Sequence, residues 1–312
     1  MGIRGLSGYL KWKVPGARSS LSWPSWAASA WAIDVSCILY RARAASLEPI
    51  TVVASLLYRM RQSNITPIFV FDGKPPASKA EVLEQRRDQR DQAQKEIVAL
   101  ESLDISGMSQ MDKAMTEKKI ADLTARNPTV TGSDKDLIKQ LLYGAGVLFV
   151  SASGEADDLL GLLARSGIVK AVVSTDMDML ARGVPILIVP ETPDTSVLTE
   201  INTSTILSTL GLTYPQFVDA CILMGTDYTG SSFRTRPPID AIVAVKRGDP
   251  FKGLDQELVS AAAASLKGSS ASFEVLLNPV QLAKFMDGAP AREPETLAKM
   301  AGEYGWPSSW IC

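Results

Sequence analysis

Five short runs rich in β-branched and apolar residues recur along the chain, each bounded by turn residues: WAIDV at 31–35, PIFVF at 67–71, VLFVS at 147–151, AVVST at 171–175 and PILIVP at 185–190. Segments with helical period separate most of them. Val52, Val53, Leu56, Leu57 and Met60 share one helical face within 51–62, and Leu137, Ile138, Leu141 and Leu142 do so within 134–143, stopped by Gly144. Leu159, Leu160, Leu162 and Leu163 repeat the pattern within 155–166, stopped by Gly167. Strands that read as continuous apolar runs are buried on both faces, and alternation with helices makes a mainly parallel sheet. The expected fold is therefore α/β, a mainly parallel sheet flanked by helices.

Acids stand where these runs end. Seven carboxylates fall in five short motifs: Asp34 in AIDVS, Asp72 in FVFDGKPP, Glu155 and Asp157 in SGEADDLL, Asp176 and Asp178 in STDMDML, and Asp227 in LMGTDY. The carboxyl ends of parallel strands face one crevice, so residues distant in sequence meet there. Singly, each motif has an ordinary explanation. Asp34 or Asp72 could cap a helix, and Glu155, Asp157 or Asp158 could sit in a first helical turn, where the dipole favours an anion. Together they are costly, because a charge directly after each of three buried strands needs a reason. Gathered acids repel and resist ionising unless a cation neutralises them. Hard divalent ions such as Mg²⁺ take such oxygen ligands, and two of them can drive an in-line displacement at phosphorus. The pattern reads as a metal-dependent phosphodiesterase.

Composition narrows the chemistry further. The 312 residues contain no histidine, which excludes Ser-His-Asp and Cys-His catalysis and histidine-ligated zinc. Cys37, Cys221 and Cys312 are isolated, with no CxxC pair, so neither a zinc site nor a disulfide framework is expected. No apolar run approaches the roughly 18 residues of a membrane span. The segment LSWPSWAASAWAI at 21–33 faintly mimics a signal peptide, but its tryptophans and proline suit a packed or DNA-facing segment better. A reducing intracellular compartment is the expectation. Net charge is −2, yet the first 47 residues carry Arg4, Lys11, Lys13, Arg18, Arg41 and Arg43 against the single acid Asp34. A basic face beside an acidic, metal-filled pocket is consistent with binding a phosphate backbone.

Residues 79–125 are dense in charge, with little apolar periodicity and a Gly-Met-Ser interruption at 107–109. That is too long for an ordinary connection between strands, and reads as a solvated helical excursion or a functional lid. Beyond about 231, helices are expected near 238–247, 254–267 and 279–287, followed by a tryptophan-containing tail.

MGIRGL at the start, AIDVS, FVFDGKPP, GEADDL, STDMDML and LMGTDY, in that order over roughly residues 1–230, resemble the flap endonuclease family, which includes the xeroderma pigmentosum group G nucleases. The resemblance implies a PIN-like 5′ nuclease core spanning 1–230, with a helical arch at about 79–130, and a small helical, degenerate DNA-binding region at 231–312. It implies structure-specific cleavage of DNA where single and double strands join, with two Mg²⁺ ions, replaceable by Mn²⁺, held by the seven acids. Lys79 and Arg86 match the family's basic pair on the arch. They stand seven residues apart, on one helical face, so both can reach the same phosphate as its bond breaks. Tyr40 matches a tyrosine that stacks on a base near the scissile phosphate, and Gly2 the family's start, close to the DNA junction.

The chain also departs from the family. Where members usually carry a Gly-rich helix-hairpin-helix that grips duplex phosphates, it has SSFRTRPPIDAIVAVKRGDP, with Pro237 and Pro238 and no G-x-G turn. Arg234, Arg236, Lys246 and Arg247 remain as candidate phosphate contacts. The tail lacks the pattern by which replication members bind the sliding clamp. The alternatives are a 5′→3′ exoribonuclease or PIN-type RNase, and a catalytically silent scaffold of nuclease-like fold.

Overall fold

The computed structural model describes residues 2–74, 80–103, 107–227, 233–266, 285 and 287–310. Its seven strands are β1 (Arg18–Ser20), β2 (Ser29–Asp34), β3 (Ile65–Phe71), β4 (Leu148–Ser151), β5 (Ala171–Val173), β6 (Ile186–Pro190) and β7 (Leu198–Asn202). They form one sheet in the order β1-β7-β6-β5-β2-β3-β4. β2 to β6 run parallel, while β7 is antiparallel to β6 and β1 to β7. The five apolar runs are β2 to β6. The other two strands were not expected. β1 is three polar residues at an edge and β7 is only partly buried, so neither carries the apolar signature of a central strand.

Alternation along each strand sends side chains to two cores. Ala32, Ile68, Val70, Val172 and Leu187 join one cluster, with α1 (Leu6–Lys13), α7 (Ala156–Arg165), α8 (Asp178–Ala181), α9 (Thr203–Leu210) and α10 (Tyr214–Met224). Trp31, Ile33, Phe69, Phe71 and Val173 join the other, with α2 (Val35–Ala44), α3 (Pro49–Gln62) and α6 (Gly132–Gly144). Both faces are covered, which is why the strands read as unbroken apolar runs.

The charged stretch folds as two helices, α4 (Ala80–Glu101) and α5 (Gln110–Arg126), joined by a Lys119–Glu96 ion pair at 2.6 Å. Later helices close on the two cores. α11 (Pro238–Lys246) and α12 (Gln256–Leu266) add Ala241, Ile242, Val259 and Ala262 to the first. α13 (Pro294–Tyr304) packs on α6, and Trp306 beyond it donates from Nε1 to Thr51 Oγ1 of α3 at 3.0 Å. Most of the helix expected near 279–287 lies outside the described residues. The tryptophan-rich segment is packed: Trp23 stacks on Trp31 and Trp26 meets it edge-on, with ring centroids 5.9 and 5.2 Å apart.

Candidate metal centre at the carboxyl edge of the sheet

β2 is the strand where the chain changes direction across the sheet. From β2 the order runs one way to β3 and β4, and the chain then crosses back to lay β5 on the other side of β2. Ligands of open α/β sheets bind outside the carboxyl ends of strands at such a reversal. The acids stand along that edge in strand order: Asp176 and Asp178 after β5, Asp34 at the end of β2, Asp72 after β3, and Glu155 and Asp157 where β4 leads into α7.

Local hydrogen bonds fix several of them. Asp34 Oδ1 caps α2 by accepting from the Cys37 N–H at 3.1 Å, and its Oδ2 accepts from Ser174 Oγ at 2.8 Å, across the reversal. Asp72 Oδ1 accepts from the Ala156 N–H of α7 at 2.9 Å, and Oδ2 from Ser36. Asp176 Oδ1 accepts from the Asp178 N–H at 2.9 Å. Two glycines allow this closeness. A Cβ on Gly73 would stand 1.9 Å from the Ala152 carbonyl, and the Gly73 N–H donates to Gly154 at 2.7 Å, so the FDG turn is stitched to the loop carrying Glu155. Gly2, at φ 101, lies against the D-x-D pair: a Cβ there would come 2.1 Å from Asp176 Oδ1 and 3.1 Å from Asp178 Oδ1. The N-terminal segment also reaches α10, where the Arg4 N–H donates to Gly225 at 3.1 Å, two residues before Asp227.

The acids feel one another. Burial, then the charge of Asp72, drives Asp34 up to about 7, against the pull of the Cys37 and Ser174 hydrogen bonds, with Asp176 raising it further. Asp157 is raised well above the usual carboxylate range by burial; Arg182 offsets this, and Asp176, Asp34 and Asp72 add to it. Four acids from four strand ends therefore share one electrostatic neighbourhood. Among the described residues, no group of three or more Asp, Glu or Cys side chains is already gathered around a single point as a metal site. The carboxylates of Asp34, Asp72 and Asp176 are turned instead on to local N–H and O–H donors. The donor set, all carboxylate oxygen and mutually repelling, is nevertheless what a hard divalent cation takes and relieves.

Other expected residues are placed more loosely. Tyr40 is 39% exposed in the middle of α2. Arg234 is exposed, and Arg236 is half-buried, with its N–H on Leu223 O at 2.7 Å. Lys246 and Arg247 are exposed at the end of α11. Arg86 lies in α4, but its side chain, like the whole of Lys79, is outside the described residues.

The structure adds residues that sequence reasoning missed. Ser36 and Ser174 hold the acids, and Thr175 is tied to Cys37 by a 3.2 Å bond from its N–H to the sulfur. Arg182 is 1% exposed and pairs with Asp158 beneath the acidic edge. Burial of an arginine just after D-x-D is a tertiary fact with no sequence signal.

Two family models, the XPG N-terminal domain and the XPG I-region, match residues 1–93 and 146–227, together more than half of the chain. The chain belongs to the XPG and flap endonuclease family. Mouse flap endonuclease 1 is 35% identical over 167 residues, which cover 53% of this chain and 41% of the mouse protein. The chain thus spans well under half the length of that relative. The fold matches the catalytic core of Rad2 in complex with DNA substrate, with a TM-score of 0.61, 17% identity, and coverage of 98% of this chain and 96% of Rad2. It also matches the junction-resolving enzyme GEN1 in complex with product DNA, Mg²⁺ and Mn²⁺, with a TM-score of 0.58, 17% identity, and coverage of 96% and 72%. The first family model stops at residue 93, past the middle of α4, and the second begins just before β4. The last turns of α4, all of α5 and α6, and everything after Asp227 lie outside them.

Proposed function

We propose that this chain is a divalent-metal-dependent, structure-specific nuclease. It hydrolyses DNA phosphodiesters at branched, flap or 5′-ended structures in replication, repair or recombination. The observation that carries this reading is the line of acids across β5, β2, β3 and β4, mutually coupled at the point where the sheet reverses. Support comes from the family match and from relatives whose structures hold DNA and, in GEN1, Mg²⁺ and Mn²⁺.

Asp34, Asp72, Glu155 and Asp157 would hold one ion, and Asp176, Asp178 and Asp227 the second. Bound there, two such ions supply Lewis-acid activation of water and neutralise charge on the leaving oxygen. The chain's own groups do the rest. The Cys37 N–H with Ser174, and the Ala156 N–H with Ser36, hold Asp34 and Asp72 facing the edge. Buried Arg182 supplies positive charge beneath Asp157 and Asp158. Lys79 and Arg86 stabilise negative charge on the scissile phosphate, Tyr40 stacks on a neighbouring base, and Gly2 lets the backbone approach the strand junction. Arg234, Arg236, Lys246 and Arg247 grip duplex phosphates. Water bonds to phosphorus as the P–O3′ bond breaks, leaving a 5′-phosphate, while the 3′-oxygen takes up a proton.

Purified protein given matched DNA and RNA flaps tests the reading. Cleavage of the DNA flap in Mg²⁺, lost in EDTA, is expected. Asp176→Ala and Asp178→Ala should each slow cleavage by on the order of 10² or more while DNA binding persists, as when a main electrostatic stabiliser is removed. Cleavage by metal-free protein, or near-normal rates in both variants, would refute the metal assignment. Preference for the RNA flap would transfer the activity to RNA.

A further inference from the structure

Beside the acidic edge lies a cavity of opposite charge. It measures about 290 Å³, and its lining includes Lys11 of α1, Arg18 of β1, Arg41 of α2 and Glu191 after β6, together with Thr175 and Met177. Three cations therefore face one acid, and that acid is already engaged. Arg18 Nη2 lies 2.6 Å from Glu191 Oε1, and Arg41 Nη2 donates to the Glu191 carbonyl at 3.1 Å. Each guanidinium is pinned by one arm. The donors left over, Arg18 Nη1 and Arg41 Nε, are buried and have no hydrogen-bond acceptor among the described residues. A buried, charged donor without an acceptor carries its full desolvation cost, and folded proteins seldom leave one unless water or an ion completes it. The first turn of α1 also reaches the cavity through Ser7 and Gly8, and no side chain caps that helix. Its N–H groups and the positive end of its dipole add to the same field.

We propose that this cavity is a phosphate-binding site, which takes one phosphate group of the substrate strand beside the cleavage site. The lining excludes a cation. Two separately anchored guanidinium groups, a lysine and a helix N-terminus together ask for an anion with several acceptor oxygens, and guanidinium groups suit phosphate well. Thr175 and Met177 flank Asp176 in sequence, so a phosphate held here anchors a strand next to the acidic edge. The identity of the strand rests on the nuclease reading; the anion chemistry does not.

Binding is tested first with inorganic phosphate and the full chain in EDTA, followed by thermal upshift and calorimetry against chloride of equal ionic strength. Wild type should bind. Arg18→Gln and Arg41→Gln should weaken binding about tenfold or more, the scale of a lost charge-assisted contact. Lys11 is exposed, so Lys11→Gln leaves the fold intact and should weaken binding by a smaller factor. In cleavage assays Arg41→Gln should raise KM about tenfold at an unchanged saturated rate, and flatten the salt dependence by about one unit of slope.

Competition by a 5′-phosphorylated oligonucleotide, compared with its 5′-hydroxyl form, identifies the source. Stronger competition by the former assigns the site to a strand end, and equal competition assigns it to an internal diester. Failure of both to compete overturns the strand assignment. Absence of phosphate binding by wild type, or wild-type binding by stably folded Arg18→Gln and Arg41→Gln, overturns the site whether or not the protein cuts DNA. If phosphate binding behaves as expected but no nucleic acid is cut, the nuclease reading falls and the anion site stands.

Discussion

Asp34 does two things at the end of β2: it caps α2, and it anchors Ser174 from the far side of the sheet's reversal. Its carboxyl is nonetheless raised to about 7, first by burial and then by Asp72. An unfolded aspartate titrates near about 3.9. The folded, metal-free protein therefore holds a proton that the unfolded chain has released between these values. Linkage then sets the sign: the stability this group contributes is present below about pH 4 and is lost as pH rises to about 7. Asn caps helices as well as Asp, so Asp34→Asn keeps the cap while removing the titration. In EDTA, the Tm of wild type relative to Asp34→Asn should fall between pH 4 and 7, and Mg²⁺ should reverse the difference at pH 7. A pH-independent difference would contradict the electrostatic picture. At this scale the acids were legible, because a charge directly after a buried strand is conspicuous in the sequence. Ser36, Ser174 and Arg182 were not, because a serine or arginine shows its partner only once the chain is folded.

At the scale of elements, the five central strands were legible because burial on both faces writes an apolar run into the sequence. α10 was missed for a related reason: it buries most of its residues, so no polar face is left to mark a period. α4 and α5 are the reverse case. α5 has no buried residue, and in α4 the described core contacts are Ala93 and Ile97. Helices with so little packing open at a fraction of the global free energy. Their amides should exchange with deuterium far faster than those of β2 and β3, and slow when a flap substrate binds. α4 also carries Arg86, whose proposed role separates two kinds of contact. A contact made mainly in the transition state lowers the saturated rate, whereas a backbone contact lowers affinity and salt slope. Single-turnover cleavage of a saturated flap by Arg86→Ala should fall by on the order of 10²–10³. An unchanged saturated rate with weaker binding would make Arg86 a surface phosphate contact.

At the scale of the whole molecule, the described helices after Gly225 close on both faces of the sheet, with α11 and α12 over α10 and α13 over α6. There α11 and α12 were legible and α13 was not, since it lies in the stretch read as a tail; which face each one covers depends on contacts such as the 5.4 Å stacking of Tyr304 on Trp306 and the bond from Trp306 to Thr51. Trp306→Ala removes a large side chain from that seam, and urea unfolding should report a loss of about 3 kcal/mol, the low end for such a truncation. A loss under about 0.5 kcal/mol, the range of ordinary surface changes, would mean that the tail does not hold the fold together. Charge is distributed on this scale too. The net charge of −2 conceals a cation-rich first 47 residues and a second group at Arg234, Arg236, Lys246 and Arg247. If that second group grips duplex phosphates, each contact releases counterions, and affinity falls with salt by about 0.9 log units per log unit for each. Lys246 and Arg247 are exposed at the end of α11, so replacing both by Gln should leave the fold intact. The double variant should flatten the salt slope by up to about two units and raise KM, with the saturated cleavage rate unchanged. A lowered saturated rate would place α11 within reach of the chemistry, while an unchanged slope would mean that duplex DNA does not run over α11 and is held by the basic N-terminal face.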